Sequence, residues 1–566
     1  MAEAWRVRAA DESSVRGLAK SLGLRALTAR ILTARGISGP DQAARFLSPR
    51  LSELRPPQGM ADLNRSLDRL VRALGAKEKV AVFGDYDVDG VTSAAILYQL
   101  LRALGLDVVN RMATRSAGYG FSLAAATFFV EQGCTLILTG DCGTSDHESL
   151  AYCRSRGVDV IVIDHHQVPT GETAAFALLN PHRQDDTFPF KGLASCGVAF
   201  YLAAAMRSRL RADGDRRCED LDPRSWLDLV ALGTIADLVP LVEENRILVA
   251  AGLRELASQR RPGIVALASV AGIASGSFAA SDISFKLAPR LNAAGRLGDS
   301  QLAFDLLLAA DSTEAGRLAA ALDELNHERQ RIQERIWTEA IAIAEHHADD
   351  AALVLGAEGW HPGVVGVVAA KLVEKFHRPA VTIAFEQGQG RGSARTRGGF
   401  DLHRALIQCR EHLGAFGGHA MAAGVSLAWE NLEPFRSAFV AAARTHFAAG
   451  PADETVEVDA VATLADLDML QVEELVRLGP FGNANSEPLI AVRGVIAQST
   501  RVVGVSHLQL TLAHGAFVSN AIAFGMADRD PGRGARLDVI GVAEIDEYRG
   551  QRKTRLRLRH LMRSPS

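Results

Sequence analysis

Cysteine is scarce in this chain. Six stand in 566 residues, at Cys134, Cys142, Cys153, Cys196, Cys218 and Cys409, and none forms a C-x-x-C pair. This excludes a disulfide scaffold and a thiolate zinc site, and it predicts a reducing, cytoplasmic setting. No uninterrupted apolar run reaches the roughly 18 residues of a membrane span. The opening MAEAWRVRAADESS carries charges where a signal peptide needs an apolar stretch. Charge of one sign is missing too: 62 Lys and Arg stand against 66 Asp and Glu, a net charge of -4. There is no global basic field, so contact with nucleic acid must come from local patches. Aromatic residues are only 6% of the chain, which leaves no sign of extensive base stacking. No tandem repeat or low-complexity tract occurs. The length is too great for one core and predicts three or four domains.

What is present reads as α/β. KVAVFG (79–84) predicts a short buried strand, and TSAAILYQLLRALG after it has helical spacing and ends at Gly105, a C-cap. CTLILTGDCG (134–143) predicts a second strand ending in Asp141. VDVIVIDHH (158–166) predicts a third, ending in Asp164, His165 and His166. Near-continuous apolar strands alternating with helices signal a parallel sheet. In such sheets the chemistry lies beyond the carboxyl ends of the strands. SWLDLVALGTIADLVPL (225–241) starts with helical spacing, breaks, and delivers Asp237. Residues 314–347 lack Pro, and lack Gly after Gly316. They predict one long charge-laced helix, either a connector between domains or an ordinary packed helix. A second α/β segment follows, with strand, Gly-rich turn and helix over 352–376 and a strand over 381–385. GSART (392–396) lies in a polar segment, and GAFGGHAMAAGVSL (414–427) is Gly-rich. From Thr455 onward, short strand-like runs separated by Gly-containing turns predict an all-β domain of small-barrel size.

VFGDYDVDGVTS (82–93) places Asp85, Asp87 and Asp89 within five residues, directly after an apolar run. Carboxylates this close repel one another and resist leaving water. An EF-hand loop is one explanation, and Gly90 stands where such a loop needs glycine. The twelfth loop position is Ile96 rather than a bidentate Glu, which rules it out. Asp85, Asp87, Asp89, Asp141, His165, His166 and Asp237, all on predicted strand ends and loops, together make a hard oxygen and nitrogen donor set suited to Mn²⁺ or Mg²⁺. It holds more ligands than one ion needs and predicts two ions, whose chemistry is attack of an activated water on phosphorus.

DYDVDG, DCG, DHH and GTIAD, in that order, resemble the signature of the DHH phosphoesterase superfamily. GSART and FGGHAMAAG resemble the DHHA1 domain that follows it in many members. APRLNAAGRLG (288–298), WHPGVVGVVAAKL (360–372), LGPFGNANSEP (478–488) and HLQLTL (507–512) narrow the likeness to its bacterial single-strand-specific 5′→3′ DNA exonucleases. The resemblance implies an N-terminal extension (1–50), a DHH catalytic domain (51–310), a connecting long helix (311–348), a DHHA1 domain (349–450) and an OB-like nucleic-acid-binding barrel (451–566). It places the metal ligands on Asp87, Asp89, Asp141, His165 and Asp237. Asp85 and His166 would complete the shells or orient the substrate, and Asp164 would hold the imidazoles or cap its strand. The chain departs from the family in three places. Ala117 replaces an acidic residue before GYG. Thr114 stands where an arginine is usual, with Arg115 shifted by one. TSDHE follows DCG.

The same resemblance implies that Arg296, Ser393 and Arg395, with Arg115 as a further candidate, hold a terminal 5′-phosphate. Gly417, Gly418 and His419 would bring donors to the scissile phosphate. Arg555, Arg557 and Arg559 alternate with leucines on one strand, which reads as a single-strand track or as a solvated edge. The function implied is removal of 5′-mononucleotides from single-stranded DNA in recombination and repair. The DNA would thread a basic passage between the α/β domains and the barrel. Single-strand-binding protein and a RecQ-type helicase are implied partners, and a monomer is the expected state. Two other readings stand: a nanoRNase or oligonucleotide phosphodiesterase with the same metals, and a non-catalytic single-strand-binding module. The added barrel opposes the first, and the intact ligand set opposes the second.

Overall fold

The computed structural model describes the whole chain except residues 1–4, 116, 117, 119, 275, 277, 448–454, 549–550 and 565–566. The chain forms two compact units. The larger comprises Pro57–Asp237 and Arg254–Asp453, and the smaller comprises Met1–Pro56, Leu238–Leu253 and Glu454–Ser566. Among the described residues, no helix is long and apolar enough to cross a membrane.

In the larger unit, β1 (Lys79–Gly84) leads through the aspartate loop into α1 (Val88–Ala103). Then come β2 (Asp107–Met112), α2 (Leu123–Glu131), β3 (Leu136–Gly140), α3 (His147–Ser155), β4 (Asp159–Ile163) and β5 (Ala177–Leu179). The five strands are parallel in the order β2-β1-β3-β4-β5. β1, β3 and β4 are buried almost throughout, which is why each reads as an unbroken apolar run. The strand order reverses between β1 and β3, and an open parallel sheet forms its crevice at that switch point. Asp85 and Asp141 directly follow these two strands.

Two of the expected ligand positions differ from strand ends and loops. Asp89 lies in the first turn of α1, because the helix starts at Val88. Asp87 caps it, its Oδ1 accepting from Gly90 N at 3.0 Å. An aspartate cap and an acidic first turn both favour a helix start here. Asp237 caps the carboxyl end of α5, with its N–H donating to the Gly233 carbonyl at 2.9 Å. Helices α4 (Ser195–Ala212) and α5 (Leu227–Ala236) pack on α1. α1 and α5 are apolar nearly all round, as suits buried helices.

Helix α6 (Ala288–Leu297) and the long α7 (Ser312–Glu345) follow. Asp311 caps α7 by accepting from Thr313 N and Glu314 N. α7 packs along α6 and onto α8 (Val365–Phe376) of a second sheet. That sheet holds β6 (Leu353–Glu358), β7 (Ala380–Glu386), β8 (Gln389–Arg395), β9 (Ala415–Gly418) and β10 (Ala422–Ala428) in the order β9-β10-β8-β7-β6. Only the β6–β7 pair is parallel. The polar segment holding GSART forms β8 as far as Arg395, paired on both sides, and Thr396 follows the strand.

In the smaller unit, β11 (Ala460–Ala462), β12 (Ile490–Val503), β13 (His507–His514), β14 (Phe517–Ala523), β15 (Arg536–Tyr548) and β16 (Gln551–Arg563) form one sheet. Pairing of β12 with β15 closes five of the strands into a barrel. Helices Glu12–Leu22 and Ala26–Ala34 put Val15, Leu18, Leu27, Ile31 and Leu32 into the same core as Leu508, Leu510 and Leu556. The residues read as an N-terminal extension therefore supply part of this core.

Gly233 of α5 marks a tight contact between helices beside the site. A methyl group there would stand 2.4 Å from Thr92 Oγ1, 2.6 Å from Cys196 Sγ and 2.8 Å from Asp89 Oδ1. Gly233→Ala should lower the urea unfolding midpoint, with a loss of about 1–3 kcal/mol as for other overpacked cores. An unchanged midpoint would show that α1, α4 and α5 part easily.

Candidate active site

The sheet's carboxyl edge gathers the acidic residues. Asp85 follows β1 with 1% exposure, and its Oδ1 has no hydrogen-bond partner among the described residues. Gly90 lets the next turn close over it, since a Cβ there would lie 2.5 Å from the Asp85 carbonyl oxygen. Both carboxylate oxygens of Asp89 meet the start of α4, accepting from Ser195 N at 2.7 Å and Cys196 N at 3.0 Å. A helix N-terminus is a favourable seat for an anion. Asp141 follows β3 in the left-handed region (φ 65°), and its Oδ1 accepts from Ser195 Oγ at 2.9 Å.

Asp164, after β4, is satisfied on every side. It accepts from His165 N at 2.7 Å, His166 N at 3.1 Å and Thr144 N at 3.2 Å, and its Oδ1 lies 2.8 Å from His166 Nδ1. It thus does both things expected of it, capping the strand and orienting an imidazole. His165 Nε2 stands 3.4 Å from Asp141 Oδ1 and 3.3 Å from Asp237 Oδ2, without a hydrogen-bond partner among the described residues.

Among the described residues, three overlapping sets have ligand atoms within 4.8 Å of one another: Asp141, His165 and His166; Asp89, His165 and Asp237; Asp85, Asp87 and Asp141. The last two share no member, and the His165–Asp141 contact joins them. All the sequence-predicted ligands are therefore in one place, as two adjoining groups.

Burial and crowding set the electrostatics of the cluster. Burial, and then Asp87, push the Asp85 carboxyl well above the usual range. Burial, and then Asp87, Asp89, Asp237 and Asp164, do the same to Asp141. Burial raises Asp89. Burial with Asp89 and Asp87 raises Asp237 to about 9. For His166, burial works against the cation, but the bond to Asp164 and the surrounding carboxylates outweigh it and lift its pKa to about 9. Burial lowers His165. For Asp164, burial acts upward, yet the bonds from His166 and Thr144 hold it well below the usual range. Protons sit where cations are wanted. The orphaned Asp85 Oδ1 and His165 Nε2, and a donor set of carboxylates and imidazoles without thiolates, fit Mn²⁺ or Mg²⁺.

Beside this acidic crevice lies a basic one. Arg296, near the end of α6, donates from Nη1 to the Gly363 carbonyl at 2.9 Å. Arg115 donates from Nε to the Gly295 carbonyl at 3.1 Å, and its guanidinium lies 4.3 Å over the Tyr86 ring. Gly295 permits this approach, because a Cβ there would stand 2.3 Å from the Tyr86 carbonyl oxygen. Gly366 of α8 faces Ser393 Oγ and Arg395 Nη2, which a Cβ would meet at 3.0 and 3.3 Å. Burial, and then Arg115, Arg329 and Arg395, lower Arg296 to about 10 while Asp87 opposes them. Burial lowers Arg395 and Arg329 as well. Among the described residues, none of Arg115, Arg296, Arg329 and Arg395 has a carboxylate in ion-pair range. Four neighbouring arginines without a carboxylate partner among the described residues have the donor chemistry that suits a phosphate.

Arg329 escaped the sequence reading. It stands on α7, bonded to Asn326 Oδ1 and Gln333 Oε1 at 2.8 Å each, with its buried Nε unpartnered among the described residues. The signal was the polar triplet Asn326, Arg329 and Gln333 interrupting the apolar stripe of a long helix. Ser195 was missed because a search for ligand side chains passes over a hydroxyl that acts on a ligand.

Other predicted residues lie elsewhere. Gly417, Gly418 and His419 are exposed at the end of β9 and the turn after it, and His419 makes no side-chain contact with the carboxylates among the described residues. Arg555, Arg557 and Arg559 share one face of β16 as expected, and carboxylates pair with them. Arg555 meets Glu544 at 2.6 Å and Asp546 at 2.7 Å, Arg557 meets Glu487 at 2.6 Å and Glu544 at 2.8 Å, and Arg559 lies 3.7 Å from Glu487. Ala117 lies outside the described residues.

Aspartates and a His-His pair at the carboxyl edge of a parallel sheet, followed by a second α/β lobe, define a DHH-type phosphoesterase. Residues 79–234 match the DHH family, N-terminal domain; residues 349–445 match the DHHA1 domain; and residues 458–560 match the RecJ OB domain. The chain is 34% identical over 563 residues to the single-stranded-DNA-specific exonuclease RecJ of Bacillus subtilis, covering 98% of this chain and 70% of that protein. Crystal structures of RecJ from Thermus thermophilus are also similar. The Mn²⁺ complex is 29% identical with a TM-score of 0.84, covering all of this chain and 80% of that one. The Mg²⁺ complex is 28% identical with a TM-score of 0.78, covering all of this chain and 79% of that one. The chain belongs to the RecJ family of exonucleases.

Metal binding should depend on pH with a definite sign. Asp237 moves from its ordinary 3.8 to about 9, and His166 from 6.5 to about 9. A raised pKa stabilises the fold while the group is protonated. For Asp237 that contribution is complete below its unfolded value and is lost as pH rises through about 9. For His166 it is complete below 6.5 and is lost over the same rise. The metal-free protein should therefore melt lower at about pH 8.5 than at about pH 6, and the Tm increment from Mg²⁺ should be larger at the higher pH. An increment independent of pH would count against ligation by these groups.

Proposed function

We propose that this chain is a metal-dependent exonuclease that degrades single-stranded DNA from its 5′ end by phosphodiester hydrolysis. The observation that carries the reading is the adjacency of the two crevices. Asp87 is near enough to Arg296 to oppose its shift, and Arg115 is near enough to Asp85 to act on it. A terminal phosphate seated among Arg296, Arg395, Ser393, Arg115 and Arg329 would bring the next phosphodiester to the carboxylate cluster. The relatives' names give the substrate class, and the barrel domain suits a single strand.

Asp87, Asp89, Asp141, His165 and Asp237 would hold two ions, with Asp85 and His166 completing the set. Bound there, divalent ions supply an activated water and neutralise charge on the reacting phosphate. The protein's part is positional. The α4 N–H groups aim Asp89 and favour its charged form against burial, Ser195 turns Asp141, and Asp164 fixes His166 by its Nδ1. The arginines retain the strand's end and set the register of attack. The exposed Gly417, Gly418 and His419 are free to meet the strand beyond the crevice.

The six cysteines are all buried and unpaired, which suits the cytoplasm. Single-strand-binding protein and a RecQ-type helicase are the partners that such a substrate calls for, one coating the strand and the other producing it.

The test is hydrolysis, with Mn²⁺ or Mg²⁺, of a long 5′-phosphorylated strand labelled separately at each end, beside a blunt duplex and a very short oligomer. Mononucleotides should leave the 5′ end of the long strand while the duplex is spared, and Asp141→Ala should reduce release to background. Arg395→Ala should cost roughly tenfold to a hundredfold in kcat/KM, the worth of a hydrogen bond to a charged group. Cleavage of the short oligomer alone would replace this reading with an oligonucleotide phosphodiesterase.

A further inference from the structure

The WHPG segment between β6 and α8 is conspicuous in sequence, and no role has yet been given to its histidine. Three bonds hold the segment in place. Trp360 Nε1 donates to Glu339 Oε2 at 2.7 Å, Arg335 Nη2 donates to the Gly359 carbonyl at 3.0 Å, and Arg296 Nη1 donates to the Gly363 carbonyl. Glu339 and Arg335 belong to α7, and Arg296 belongs to the phosphate pocket. His361 is half-buried. Its Nδ1 accepts from Gly363 N at 3.1 Å. An imidazole nitrogen that accepts carries no proton, so the ring's proton is on Nε2. Nε2 has no hydrogen-bond partner among the described residues.

The ring lies against the same peptide that Arg296 grips. A Cβ on Gly363 would stand 2.3 Å from the Arg296 carbonyl oxygen and 3.1 Å from His361 Cε1. One glycine is thus pressed between the arginine's backbone and the imidazole. Burial, and then the Arg115 guanidinium, hold the His361 pKa below its usual value, and no carboxylate offsets them. The ring is neutral among arginines. It offers a hydrogen bond without adding a fifth positive charge to a pocket already crowded with them.

We propose that His361 is a specificity-determining residue for the strand's end, donating from Nε2–H to an oxygen of the terminal 5′-phosphate alongside Arg296, Arg395 and Ser393. This rests on the end-capture reading above and adds a fixed neutral donor to it. Arginines attract any phosphate by charge, whereas a directional donor rewards the one oxygen it meets.

The readout is the ratio of kcat/KM for a 5′-phosphorylated strand to that for the same strand with a 5′-hydroxyl, measured on the full-length protein with Mn²⁺. His361→Ala should lower the ratio about tenfold, mainly through KM on the phosphorylated strand, as for loss of one hydrogen bond to a charged group. His361→Gln, which keeps an amide donor near the place of Nε2, should retain most of the ratio. Melting curves confirm that both variants are folded. If the native protein discriminates and His361→Ala keeps the full ratio, His361 plays no part in reading the end. If Ala and Gln lose the ratio equally, the donor assignment is wrong. If the native protein shows no preference for the phosphate, the end-capture reading itself fails, and this proposal fails with it.

Discussion

The larger unit is organised by the mutual repulsion of carboxylates placed together away from water. Asp85, Asp89, Asp141 and Asp164 are each no more than 2% exposed, and Asp87 and Asp237 adjoin them. The fold handles these groups unequally. Asp164 takes three backbone N–H bonds and an imidazole, and it remains an anion. Asp89 takes two N–H bonds from α4, while Asp85 keeps a bare oxygen. Hydrogen bonds to a carboxylate favour its charged form, and burial without them favours the neutral one. The upward shifts at Asp85, Asp141 and Asp237 follow from burial and crowding, which a divalent cation held by these groups would offset, while Asp164 is complete and belongs to the frame.

The basic crevice repeats this logic with the sign reversed. Arg296, crowded by Arg115, Arg329 and Arg395, is pushed down only to about 10 and remains a cation at neutral pH. Lysines in that place would shed their protons far more readily. Two uncompensated fields of opposite sign thus stand side by side in one unit. A divalent ion with a phosphate beside it would complement both.

Much of this was legible in the sequence. Buried parallel strands must be apolar on both faces, so 79–84, 134–143 and 158–166 announced themselves, and the acidic residues at their ends stood out as charges without a solvated face. The long helix was legible from its period. Nonlocal geometry was not. Nothing near Ser195 indicates that α4 begins against Asp89, and Arg329 becomes a pocket residue only when α7 packs on α6. The alternation of Arg555, Arg557 and Arg559 was readable, but Glu487, which faces two of them, comes from a distant loop. The core of the smaller unit joins helices before residue 50 to strands after residue 450, and no local pattern encodes such a union.

The proposed end recognition needs no reading of bases. A terminal phosphate monoester carries more negative charge than an internal diester, so a cluster of arginines without carboxylate partners among the described residues would favour the strand's end by charge, and a directional donor at His361 would sharpen that preference. Phosphate contacts fix position and register but carry no sequence information. In that proposal charge would favour the end, the segments bearing Arg296 and Arg395 would set its depth, and the neighbouring carboxylates would meet the next phosphodiester. Each removal would expose a new terminal phosphate equivalent to the last. A pocket of this kind accepts every nucleotide in turn, as an enzyme that degrades strands of any sequence requires.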